Sequence, residues 1–417
     1  MKKSLLLFSS LLFSAMVSAQ VTTSTVTMGP AYANQVYFKL ATQTSTPFAN
    51  SLWDIAFYRK SNMQMAIRTN DAKGIQVFEA SNNLADWANI STANEANWTR
   101  LYNSETTWDT GSFDNGSATT PPFGYGWGVY NMATHKVTGT IIFVLKYANS
   151  TYKKVKMVEF FGGYTFTYSS WDGTAWTADQ TAVVPNTSNP TNNFNYYSLE
   201  TNSQVVAEPA NTEWDLLFTK YEAMQPAPNE VMYPVTGVLH HPDVQVAESA
   251  SGAATDLTYS EDINTIGYDW KVFSMANFTY VIDTQKSFFV KLLNGSIYKI
   301  NFQTFVGSST GVITFNQEDV TAQLGNESFE NKVTFGVYPN PSTDKKINLI
   351  YEMPSGNSDK NVVTIYSITG AQMYQTTIDS NSGFFSKELD LNFLNSGMYL
   401  LKFDSGDYST TKKIILK

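Results

Sequence analysis

The chain has 417 residues, no Cys and a formal net charge of −9 at pH 7, with charged residues at 15% and aromatics at 14%. That length holds about three domains with sizeable cores, while the missing Cys excludes disulfides and an acylated N-terminal Cys. The acidic balance excludes a non-specific nucleic-acid partner, which needs clustered Lys and Arg; the densest basic group is Lys153, Lys154 and Lys156.

Lys2 and Lys3, the apolar run 5–13 and the small residues Val17-Ser18-Ala19 predict an export signal over 1–19, with the mature chain starting at Gln20. The apolar run is too short to span a membrane, and no later segment reaches about 18 apolar residues, so no transmembrane segment is expected. Two blocks then repeat the same markers in the same order. VYFKL (36–40) matches NYYSL (195–199), and WDIAF (53–57) matches WDLLF (214–218). FGYGWGVYNM (123–132) matches IGYDWKVFSM (266–275), and the closing runs 140–160 and 286–305 end on YTFTY (164–168) and GVITF (311–315). These predict two copies of one domain, 20–180 and 190–320.

Aromatic and β-branched runs broken by turn residues predict an all-β fold, in which only 83–98 has room for a short helix. Asn294-Gly295 between apolar runs predicts a type I′ hairpin turn with both residues at positive φ. Ala148-Asn149-Ser150 stands at that place in the first copy and predicts a longer loop. The WDxxF segments read as strands, with Asp54 and Asp215 bonding neighbouring backbone N–H groups. A polar linker over 321–332 leads to a third unit, 333–417. Its short strands and Gly, Asn and Ser turns predict a small immunoglobulin-like β-sandwich.

This last unit resembles the C-terminal sorting domain of the type IX secretion system of Bacteroidota. The resemblance rests on Tyr338-Pro339-Asn340-Pro341, IYSITG ending at Gly370, the turn from Leu394 through Gly397 to Tyr399, and the basic last strand 412–417. It implies passage through the periplasm, recognition by the secretion machinery through 333–417, and release or attachment at the outer-membrane surface.

The two repeats resemble the HmuY family of secreted, all-β haem-binding proteins. The carrying residues are the Y-F/Y-x-L strand, WDxxF, the Gly-x-x-Trp entries at Gly124/Trp127 and Gly267/Trp270, and the hairpins ending YKKV and YKIN. The resemblance implies two antiparallel β-sheet or sandwich domains and a haem ligand five residues after the Trp. Here those positions are Met132 and Met275, and thioethers ligate haem iron. The competing reading is that both fill irregular core space. The family's second ligand lies upstream, where 71–123 contains no His, Met or Cys; the second copy offers only Met232, His240 and His241, earlier in the chain than the family's ligand.

Other polar groups give weaker signals. His240 and His241 are a candidate metal pair, although neighbours on a strand point to opposite faces. His135 reads as an exposed loop residue. Asp109, Asp114 and Asn115 offer hard oxygens that suit Ca²⁺, at a spacing that fits no EF-hand and equally fits a Gly/Asn-rich turn. No H-E-x-x-H, G-x-S-x-G or P-loop pattern occurs. The expectation is therefore a secreted or cell-surface, non-enzymatic ligand-capture protein with haem or another porphyrin as ligand. The alternative is a structural or adhesive surface protein that binds a polymer or a protein partner.

Overall fold

The computed structural model describes residues 20–417 apart from 60–65, 121–122, 229, 325–333, 354–360, 379–382 and 406–407; the expected export signal at 1–19 and most of the expected linker lie outside the described residues. The chain forms two compact units, one ending at Val320 and one beginning at Thr321. Both are built of antiparallel strands, as the composition predicts. In the stretch 83–98 the chain forms two short 3-10 segments, Leu84–Asn89 and Thr92–Asn97, and no described helical segment is longer.

The first unit contains two large sheets of matching design. One runs Thr22–Thr27, Val312–Asp319, Ile297–Phe305, Ser287–Lys291, Gln245–Ser249. The other runs Gln180–Pro185, Gly163–Ser170, Tyr152–Phe160, Ile142–Lys146, Gln76–Ser81, Thr99–Leu101. The inner strands Ile142–Lys146 and Ser287–Lys291 are covered on both faces, which explains their unbroken apolar runs. Toward the sheet margin Val312–Asp319 alternates buried and partly exposed positions, the period-2 pattern of a one-sided strand. Even the irregularities match. The register shifts between Met157 and Glu159 in one sheet and between Phe302 and Thr304 in the other.

The two repeats are stitched together. Strand Asn34–Lys39, from the first repeat, pairs with Leu216–Met224 of the second, whereas Phe194–Ser198, from the second, pairs with Ile55–Tyr58 of the first. The flanking strands cross in the same sense: Thr22–Thr27 joins Val312–Asp319, and Gln180–Pro185 joins Gly163–Ser170. One core therefore gathers residues from Ile55 to Leu199, and the other combines Val26 to Leu40 with Leu216 to Phe315.

The doubled Asp fastens this exchange. Asp54 Oδ2 accepts the Leu199 N–H at 2.6 Å and Asp215 Oδ2 accepts the Leu40 N–H at 2.8 Å. Leu40 and Leu199 end the equivalent strands VYFKL and NYYSL, so each carboxylate holds the end of the strand supplied by the other repeat. The remaining oxygens pair with Lys73 and Lys39, each at 2.8 Å.

A third cluster lies between the two cores and obeys the same symmetry. Tyr37 and Tyr196, equivalent residues, bring their hydroxyls to 3.2 Å. Each ring meets the Trp of the opposite WDxxF edge-on: Tyr37 with Trp214 and Tyr196 with Trp53, both at 4.9 Å between centroids. Edge-to-face pairs of this kind stabilise by about 0.5–1.5 kcal/mol beyond their area.

The hairpin turn differs from expectation. Gly295 has φ 87°, and Asn294 is not among the residues at positive φ; the Gly295 N–H donates to Leu292 O. This is a three-residue loop, a type I turn closed by one left-handed residue, not the two-residue type I′ form. The first repeat uses the same loop length: Ser150, at φ 61°, stands where Gly295 stands, and its N–H donates to Tyr147 O.

In the second unit, Thr334–Tyr338, Lys346–Met353 and Gly383–Asp390 form one sheet. Gln372–Ile378, Asn361–Ser367, Gly397–Ser405 and Tyr408–Leu416 form the other. Ile347 and Leu349 of the first share one core with Val363, Leu401 and Ile414 of the second. That is the expected small sandwich.

Candidate functional site

Trp127 and Trp270 are fully buried and root two equivalent hairpins, Gly128–Asn131 with Lys136–Gly139 and Lys271–Ser274 with Thr279–Ile282. Each hairpin ends in a four-residue tip that begins with Met132 or Met275 and closes on a left-handed residue, His135 at φ 56° or Phe278 at φ 52°. Met132 is 66% exposed and Met275 72% exposed. The reading in which they fill core space is thereby overturned: both thioethers stand in solvent at the ends of ribbons whose roots are locked by Trp.

The two tips differ chemically. At the first, the Tyr130 hydroxyl lies 2.9 Å from His135 Nδ1, and His135 is exposed, as expected. Phe161 is exposed, with Lys136 Nζ 5.4 Å from its ring. The second hairpin exposes Val272, Phe273, Phe278 and Val281 around Met275. Val272 and Val281 are cross-strand neighbours on one face of this ribbon, and Phe273 pairs with Tyr280 on the other.

His240 and His241 are both buried, so neither faces solvent. His240 Nδ1 lies 3.0 Å from His241 O and Nε2 lies 2.8 Å from Asp262 O. Burial pushes its pKa down, although two carbonyl acceptors are served together only by the protonated ring. His241 Nε2 lies 3.0 Å from Asn193 Nδ2, and Nδ1 accepts the Asp243 N–H at 3.1 Å. Protein partners thus occupy all four ring nitrogens. No group of three or more His, Cys, Asp or Glu able to hold a metal occurs among the described residues. Asp114, in the turn with hard oxygens, is spent on backbone: its Oδ2 accepts the N–H groups of Ile67 at 2.9 Å and Gly111 at 2.6 Å.

The sequence gives no warning of the interior between the cores. A cavity of about 50 Å³ there is lined by Trp53, Trp108, Trp214, Arg68, Asp71 and Glu208 among others. Burial raises the pKa of Asp71 to about 6 and of Glu208 to about 8, and lowers that of Arg68 to about 10. Glu208 Oε1 accepts the Phe194 N–H at 2.7 Å, whereas Oε2 has no hydrogen-bond partner. This volume suits about two waters.

In the second unit, Tyr338 is exposed and both X–Pro bonds of Tyr338-Pro339-Asn340-Pro341 are cis. Asn340 between the prolines clasps the last strand: its Nδ2 donates to Lys413 O at 2.7 Å and its Oδ1 accepts the Ile415 N–H at 2.9 Å. The Ser342 N–H donates to Ile415 O, and the Lys417 N–H returns to Ser342 O. Gly370 takes the turn after Asn361–Ser367 at φ 86°. Beyond Gly397, the Tyr399 hydroxyl donates to Asn395 O at 2.9 Å and fixes the turn. Asn340 and Gly397 thus hold the C-terminal strand, and Gly370 and Tyr399 set turns. The family model described as the secretion system C-terminal sorting domain matches residues 336–417.

Residues 336–417 are a type IX sorting domain. The chain is therefore exported to the cell surface or the extracellular space, and it engages the secretion machinery through this tail. No helix among the described residues is long and apolar enough to cross a membrane. No curated protein matches the chain.

Proposed function

We propose that the exported protein is a non-enzymatic ligand-capture module, with the two hairpin tips as its contact points and haem or a related porphyrin as its ligand. One observation carries the reading: the two residues five positions after the buried Trp are both soft donors, and both stand in solvent at equivalent tips. Met132 and Met275 are the residues that would hold the group. When bound, haem supplies an iron that takes a thioether as axial ligand. Apolar neighbours suit the faces and edges of a flat ring: Tyr130 and Phe161 at the first tip, Phe273 and Phe278 at the second. His135 is the one imidazole at a tip.

Titrating haem into the mature chain, 20–417, tests this directly. The expected result is a Soret shift that weakens in Met132→Ala, weakens in Met275→Ala and vanishes in the double variant. The absence of a shift under both oxidising and reducing conditions overturns the haem reading. The exposed Val272, Phe273 and Val281 favour a second reading, adhesion of the ribbon Lys271–Ile282 to an apolar polymer or protein surface. On that reading Phe273→Ser lowers surface adhesion while no haem spectrum appears.

A further inference from the structure

The first unit carries a cleft remote in chemistry from the tips. It has a volume of about 710 Å³, within the range of small-molecule sites. Its acidic lining is Glu105, Glu230, Glu248 and Asp269, and no Lys, Arg or His lines it among the described residues. Lys286, set just outside, pairs with Glu248 at 2.9 Å and Asp269 at 3.1 Å, so one cation serves two carboxylates there. The walls also present an apolar and aromatic surface in Met224, Pro226, Ala227 and Tyr268.

The lining is held in place. Glu105 Oε1 accepts the Met224 N–H at 3.1 Å and Oε2 accepts Asn264 Nδ2 at 3.1 Å. Gln225 Nε2 donates to the Tyr268 hydroxyl at 3.2 Å. One buried polar group at the floor is unmatched: Tyr221, 4% exposed, has a hydroxyl without a hydrogen-bond partner. That hydroxyl lies beneath Gly267, 3.7 Å from where a Cβ would stand. A buried hydroxyl is ordinarily paired, so an orphan behind four carboxylates points to a ligand group that both donates hydrogen bonds and carries positive charge.

We propose that this cleft binds a small organic cation, an aliphatic chain bearing an ammonium or guanidinium group. Its charge faces Glu105, Glu230 and Asp269, its chain lies on Met224 and Pro226, and Tyr268 offers a ring face to the cation. The site is independent of the tips, and so is its test.

The experiment is calorimetric titration of the mature chain with 1,5-diaminopentane and, in parallel, the neutral 1,5-pentanediol. Expected is binding of the diamine alone, weakened severalfold on moving from low to high ionic strength as screening shortens the reach of the carboxylates. Glu230→Gln and Asp269→Asn, at exposed positions, each weaken binding by about threefold to fivefold. Tyr221→Phe keeps the ring and weakens it by about threefold. Met132→Ala and Met275→Ala leave it unchanged. Equal binding of the diol, salt-independent binding, or full affinity in both carboxylate variants overturns the proposal, as does no binding of the diamine at millimolar concentration.

Discussion

Asp54 and Asp215 join a buried ion pair to a backbone hydrogen bond on a strand from the other repeat. Removing Asp54 leaves the Leu199 N–H unmatched and Lys73 with only Ser51 O and the more distant Glu200, so Asp54→Ala should cost about 3 kcal/mol in urea unfolding. Lys39→Met, which leaves the buried Asp215 carboxylate without its cation, should cost about 3 kcal/mol as well. Three buried acids set a pH dependence. Burial raises Asp71 from 3.8 to about 6, Asp114 from 3.8 to about 8 and Glu208 from 4.5 to about 8. Above their unfolded values these groups hold more protons folded than unfolded, so their contribution to stability falls as pH rises from about 4 toward 8 and then levels off, while Lys271, lowered by burial to about 7, works in the opposite sense above pH 7. The thermal midpoint should therefore drop between pH 5 and pH 8, and Glu208→Gln should flatten the upper part of that drop. An unchanged slope in the variant would remove Glu208 from the account.

Among the elements, the paired hairpin loops separate backbone strain from packing. Ser150 pays the left-handed penalty that Gly295 avoids. Ser150→Gly should raise stability by about 0.5–1 kcal/mol, and Gly295→Ala, with open space around its Cβ position, should lower it by about 1 kcal/mol. In the second unit, Asn340→Ala frees the last strand at both bonds. It should destabilise the sandwich by about 1–2 kcal/mol and leave the protein in the periplasm, as read by fractionation. Strands, repeats and the sorting motif were legible in the sequence because each has a local signal: alternation, paired markers, and Pro and Gly at turns. The hairpin loop was misread because Asn-Gly serves two turn types, and only the length of the flanking ladders decides between them. Solvent exposure of Met132 and Met275 was not legible either, since an apolar residue after a buried Trp reads the same in a core and at a tip.

At the scale of the whole first unit, the crossing of strands between the repeats left no trace in the sequence. Equivalent segments such as VYFKL and NYYSL pair equally well with either WDxxF strand, so local pattern cannot choose between them. The hooks Asp54 to Leu199 and Asp215 to Leu40 show the choice only once the pairing is seen. Fragments tell the arrangements apart. A 50–206 fragment contains the complete core from Ile55 to Leu199 and should unfold cooperatively. A 20–180 fragment lacks Phe194–Ser198, the partner of Ile55–Tyr58, and should not. Cooperative unfolding of 20–180 alone would contradict the exchanged pairing. The outermost pairing also sets a clock on biogenesis. Thr22 bonds to Gln317, 295 residues further along the chain. At a synthesis rate of about 5–20 residues per second, the first strand waits roughly 15–60 s for its neighbour. Throughout that interval the core that joins Val26 to Leu40 with Leu216 to Phe315 stays open, whereas the core from Ile55 to Leu199 has all its strands early, so the two halves of the first unit close at different times and the outer sheet closes last.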